Sequence, residues 1–198
     1  MPLIRSRVLA LTAAAVLAWA GAAGAQAPVE ITKTDITKQK TINAAQIAVL
    51  GVRLGDARDQ TLKMLQSLKE IKVQEDAATN RLLVISPAAS NVVVMGVKAV
   101  ENLVTTINIV GGFGDWLQGD TRLLFRGFED DSLRYKLLGR EDQRQVLRGG
   151  TKESPTENVT YAYFKEGILL SLSLKRMDDA KKIEAVREMV FLFPPRAR

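Results

Sequence analysis

The run from Tyr161 to Leu174, "YAYFKEGILLSLSL", constrains this chain more than any other stretch. Ile168, Leu170, Leu172 and Leu174 recur at every second position, with Ser171 and Ser173 between the last three. That period suits a strand with one buried face. Tyr161 and Tyr163 alternate in the same way ahead of Lys165-Glu166-Gly167, a turn that would fold the two arms into an antiparallel hairpin. Further apolar runs, "RLLVIS", "NVVVMGV" and "LVTTINIV", read as strands earlier in the chain. In the last of these, Leu103, Thr105, Ile107 and Ile109 would share one face.

Helical segments precede these strand groups. In "GVRLGDARDQTLKML", Asp56 is placed to cap a helix, Asp59 falls in its first turn, and Leu62, Leu65 and Leu68 recur at helical spacing. In the second half, "GDTRLLFRGF" and "DDSLRYKLLG" are helical candidates. Asp130 or Asp131 would cap the second of them, and Gly139 stands where a helix stops. "QRQVLR" and the hairpin follow. In the closing stretch 182–192, Ile183, Val186 and Met189 fit helical spacing, but the position after a hairpin favours a strand. The order helix, strand, hairpin, strand thus occurs twice, with Leu65 and Leu138 standing 73 residues apart. The expected fold class is α+β, with two tandem helix-plus-antiparallel-sheet units, residues 47–110 and 120–192. They would form one continuous sheet with helices on one face, joined by a loop at 111–119. A single irregular α+β domain is the alternative. Residues 26–46 lack a sustained period and read as a linker or mobile arm, and 193–198 as a tail.

The first 25 residues have the pattern of a secretory signal peptide. Arg5 and Arg7 precede the apolar Val8 to Ala20, which is 13 residues long. About 20 are needed to span a bilayer as a helix. Small residues follow up to Ala23-Gly24-Ala25, where cleavage would leave a mature chain starting at Gln26. The expected location is periplasmic or secreted, with no transmembrane span in the mature chain. The 198 residues contain neither cysteine nor histidine, which excludes disulfides, thiolate nucleophiles and imidazole metal ligands. The net charge of +6 is spread among interleaved acids and bases. That pattern marks a solvated surface and argues against a nucleic-acid partner.

The segment "GVRLGDARDQTLKML" followed by strands resembles the opening of the small bacterial envelope proteins of the SmpA/OmlA (BamE-like) family. Leu54-Gly55, the helix to Leu68, and Leu138-Gly139 as a second helix end carry the resemblance, together with the closing "YAYFKEGILLSLSL" strands. The tandem order resembles that of the β-lactamase inhibitor protein. These resemblances imply an envelope protein with a protein partner. The chain departs from both, having no lipidation cysteine and no disulfides, and no individual functional residue carries over.

The candidate chemistry is sparse. Asp130-Asp131 and Asp178-Asp179 are adjacent pairs whose side chains diverge, so they suit a helix cap and a turn better than a two-carboxylate site. The glycines at 111, 112, 114 and 119 match neither a phosphate loop nor a dinucleotide fingerprint. A serine nucleophile would need a lysine as its base, and no local Ser-x-x-Lys occurs. No catalytic residue, cofactor or metal is therefore expected. The expected function is an exported, non-catalytic binding or scaffold protein of the bacterial envelope. An inhibitor of another enzyme and a histidine-free hydrolase are the alternatives. Phe113, Asp115 and Trp116 in the 111–119 loop are the expected partner-binding residues, since large aromatics dominate many interfaces. The alternative is that Phe113 and Trp116 plug the seam between the units, since an isolated Trp in a soluble protein is mostly buried.

Overall fold

The structure is a computed structural model that describes residues 28–87, 92–110, 128, 130–151, 155–177 and 180–192. Its first strands are short: β1 (Val29–Glu30), β2 (Ile47–Val49) and β3 (Val52–Arg53). They form a small sheet in which β1 runs parallel to β2, and β2 antiparallel to β3. Leu50 and Gly51 both have positive φ in the two-residue turn between β2 and β3. Such a turn matches the twist of the flanking strands, but it strains a leucine. The Glu30 carboxylate offsets that strain by accepting from the amides of Leu50 (3.1 Å) and Gly51 (2.7 Å).

Helix α1 (Arg58–Ser67) leads to the main sheet. Strands β4 (Lys72–Asp76), β5 (Arg81–Ser86), β6 (Val92–Val100) and β7 (Leu103–Val110) form one meander. Helix α2 (Asp131–Leu138) precedes a second, made of β8 (Gln143–Gly150), β9 (Pro155–Tyr163), β10 (Ile168–Met177) and β11 (Ala180–Leu192). The meanders meet where β11 pairs antiparallel with β7, giving the order β4-β5-β6-β7-β11-β10-β9-β8. The sheet therefore has last strands at its centre and first strands at both edges.

One face of this sheet is the core. Leu82 and Val84, Met95 and Val97, Ile107 and Ile109, Met189 and Phe191, and the hairpin's Ile168, Leu170 and Leu172 are all buried there. Alternation explains most of this face, and bulges explain its exceptions. A register shift pairs Lys98 with Thr106 but Ala99 with Val104, leaving Thr105 as an extra residue in β7. The phase of the strand flips there, so Val104 is buried and Leu103 exposed, correcting the expected Leu103 face. Two more shifts leave Glu184 and Arg187 as extra residues of β11. Ile183, Val186 and Met189 consequently stand opposite Leu174, Leu172 and Leu170. Their three-residue spacing comes from a bulged strand.

The expected α+β class of two helix-plus-sheet units is corrected by this architecture. The described residues hold eleven strands in an eight-stranded and a three-stranded sheet, against two α-helices of 10 and 8 residues. The helices add few core side chains, chiefly Leu65 from α1 and Leu137 and Leu138 from α2. Much of the remaining cover comes from residues read as a linker or mobile arm. Ile31, Ile36, Ile42 and Ala44 are buried in the same core as the sheet. The arm is also tied down through its backbone: the Ile42 amide donates to Leu137 (3.1 Å) and the Ala44 amide to Glu166 (2.7 Å). The cap expected from Asp56 is absent. Ala57 occupies the N-cap of α1, and the Asp56 carboxylate instead accepts from the Arg53 amide at 2.7 Å, closing the turn after β3.

Candidate functional site

The site grows from the junction of α2 with the β8 edge. Asp130 caps α2 by accepting from the Leu133 amide at 2.8 Å, and Gly139, with φ of 73°, ends the helix. Asp142 then fixes the turn onto β9. Its amide donates to the Ala162 carbonyl (2.9 Å), and its carboxylate accepts from the Phe164 amide (2.7 Å). Helical spacing places Asp131, Arg134 and Tyr135 on one side of α2, while strand spacing turns Tyr161 and Tyr163 of β9 toward them. Register sets Arg144 of β8 beside Tyr161. These side chains, with Gly139 and Glu141, line a cavity of about 320 Å³. That is at the lower end of the range of small-ligand sites.

Arg134 organises the cavity. It is 6% exposed and donates to the Phe128 carbonyl at 2.9 Å and to the Asp131 carboxylate. Its guanidinium lies 4.5 Å from the centroid of the Tyr161 ring, where a cation meets the negative face of the aromatic system. Burial works against the guanidinium's charge. The Asp131 carboxylate more than offsets that, through its charge and its hydrogen bond, and holds Arg134 above the ordinary arginine range. Arg144 lies against the same ring at 5.8 Å. Among the described residues Arg144 has no carboxylate partner. Among the described residues the site therefore pairs one buried guanidinium that has a carboxylate partner with one exposed guanidinium that has none.

Tyr163 sits deeper. Burial pushes its phenol up to about 12, with the charge and hydrogen bonding of Arg134 opposing part of the rise. At neutral pH it is a donor. The unfolded chain ionises near 10, so the folded protein holds a proton that the unfolded chain releases between the two values. Stability is expected to be independent of this group below about pH 10 and to fall from there toward about 12. Denaturant midpoints measured across that window should fall less steeply for Tyr163→Phe. An identical slope in the variant would place the alkaline loss in other groups.

Beside the cavity lies the free edge of the sheet. All eight residues of β8 are exposed, including Val146 and Leu147, and Phe164 and Tyr135 are exposed nearby. On the sheet's other face the contacts are polar. Asn108 donates to Glu188 at 2.7 Å across the β7–β11 seam, and the hydroxyls of Thr160 and Ser171 are 3.0 Å apart. Among the described residues no group of three or more acidic side chains is placed to hold a metal.

The expected contact residues Phe113, Asp115 and Trp116 lie outside the described residues, as does Asp178-Asp179. Sequence reasoning missed Arg134, Arg144 and Tyr161. Two signals for them exist in the chain. Asp131 and Arg134 are three apart on a helix, and Arg144 and Arg148 are four apart on a strand that carries no acid. No protein-family model, curated protein or solved structure matches this chain.

Proposed function

We propose that this chain is an exported, non-catalytic binding or scaffold protein of the bacterial envelope, and that it meets a protein partner at the β8 end of its sheet. The observation that carries the reading is the exposure of β8 along its whole length, with Val146 presented to solvent on the face of the Arg144–Tyr161 cavity and Leu147 on the other face. Apolar side chains next to an aromatic and an arginine are the composition of an interface centre. The short apolar segment Val8 to Ala20 and its small-residue end support export, and the SmpA/OmlA resemblance supports the envelope as destination. Among the described residues no helix is long and apolar enough to cross a membrane.

The test places a photo-crosslinking side chain at Leu147, and separately at Lys72 on the opposite edge of the sheet, in cells that export the protein. Adducts with another protein are expected from position 147 and not from 72, on a mature chain whose first residue is Gln26. Equal labelling from both edges, adducts with a second copy of the chain alone, or an intact Met1 on membrane-bound protein would overturn the reading.

A further inference from the structure

We propose that β8 receives an extended acidic segment of the partner as a ninth strand of the sheet. This inference deepens the reading above and rests on it. An edge strand presents a row of unpaired amide and carbonyl groups, and natural proteins blunt such edges with charged side chains, proline, bulges, short length or cover. Of these devices β8 carries charge alone, of one sign, in Arg144 and Arg148. It pairs with β9 from Gln143 to Gly150 without a register shift, and it contains no proline. All of its residues are exposed. The opposite edge differs. Strand β4 is 5 residues long and carries charges of both signs, and its Glu75 is engaged by Arg58 of α1 at 2.8 Å.

Charge selects the occupant. Arg144 and Arg148 are the charged side chains of β8, and their spacing puts both on the face that Tyr161 and Glu157 share. Arg148 is bonded to Glu157 at 3.3 Å, whereas Arg144 is held toward the Tyr161 ring and has no described carboxylate partner. Side chains directly opposite on paired strands stand close enough to attract or repel, about 5 Å between their Cβ atoms. A second copy of β8 would bring two more arginines to this edge. A segment with a Glu or Asp opposite Arg144, and apolar residues opposite Val146 and Leu147, meets both the charge and the pattern. In such strand addition the main-chain bonds provide affinity, and alternate side chains provide specificity.

The test uses a synthetic peptide of about ten residues, enough to span β8, with Glu at every fourth position and Val or Thr between, so that Glu can stand opposite Arg144 and Arg148 and Val opposite Val146 and Leu147. Two control peptides carry Lys in place of Glu, or N-methyl groups on alternate backbone nitrogens. With the acidic peptide, hydrogen exchange should slow at the alternate β8 amides that point away from β9. Binding should weaken as salt rises. Arg144→Gln should weaken it about fivefold, as befits one exposed ion pair. The N-methylated peptide should not bind. Equal binding of the Lys peptide, unaltered exchange in β8, or β8 amides already protected in a self-associated protein would overturn the proposal. Crosslinking from position 147 without any protection by the acidic peptide would defeat strand addition alone. Loss of both signals would defeat the partner reading as well.

Discussion

Leu170→Asp is expected to leave the protein unfolded. Leu170 is fully buried in β10, paired with Tyr161 on one side and Met189 on the other, in the middle of the core face. The substitution removes an apolar side chain and places a carboxylate in the middle of the apolar core face. Burying an unpaired charge costs several kcal/mol even after its pKa shifts to neutralise it. Losing the leucine costs about 2–5 kcal/mol more. Together these reach into the range of about 5–15 kcal/mol that is the whole stability of a typical folded domain. Far-ultraviolet circular dichroism and a thermal melt would read the outcome. Ser171→Asp, on the opposite face, provides the comparison, since it loses one hydroxyl contact with Thr160 and should cost about 1 kcal/mol. A cooperative melt of Leu170→Asp at the temperature of the unaltered protein would remove Leu170 from the core.

Gly167→Ala should destabilise the protein by about 3 kcal/mol or more, far beyond an ordinary surface substitution. Gly167 closes the β9–β10 turn with φ of 67°, a conformation that costs an L-residue about 1–2 kcal/mol. The larger effect is steric. A Cβ there would stand 2.3 Å from the Leu192 carbonyl oxygen, and 3.2 Å from the Ala44 side chain. That carbonyl is backbone at the end of β11, whose Leu192 amide donates to Gly167 itself at 2.7 Å. Relief of the clash would pull the end of β11 and the arm residue Ala44 away from the hairpin together. Gly149→Ala is the control. Its added Cβ would meet nothing closer than Thr156 Oγ1 at 3.6 Å, so its change should stay within about 0.5 kcal/mol. Denaturant unfolding of the two variants gives the comparison, and equal midpoints would refute the close-approach argument.

The parts of the fold legible in the sequence are those where one periodicity runs without interruption. The hairpin of Ile168, Leu170, Leu172 and Leu174 is such a case, and all four are buried as strict alternation requires. Helix α2 is another, because Asp130 and Gly139 mark its ends with local chemistry. Reading fails where a bulge adds a residue. In β11 two extra residues convert a two-residue period into a three-residue one, and in β7 one extra residue exchanges Leu103 for Val104. A bulge is set by how a strand pairs with its neighbour, so the period of one strand alone does not announce it. The arm from 28 to 46 was hidden for a different reason. Its buried residues Ile31, Ile36 and Ile42 sit singly among polar neighbours, through turns of 3₁₀ helix that carry no repeating spacing.

The candidate site was less legible than the fold. Arg134 looks like one more charge on an exposed helix, and its partner Asp131 is indeed 83% exposed. Its burial depends on the Phe128 carbonyl and on Tyr161, which a strand 27 residues later brings alongside. The openness of β8 is a property of sheet order, which no local pattern records.

The joining of last strand to last strand also governs how this chain can mature. The central pair brings together groups as far apart as Asn108 and Glu188, 80 residues distant in sequence. Contacts of such separation carry a high loop-closure cost and slow a folding reaction. A ribosome releases the chain from its N-terminus, so the edge of β7 away from β6 waits without a partner until β11 has emerged. Until then the earlier strands lack the neighbour that completes their sheet. Cooperative closure is thereby deferred until β11 is made, and a nascent chain stays open along the line that later runs through the middle of the sheet.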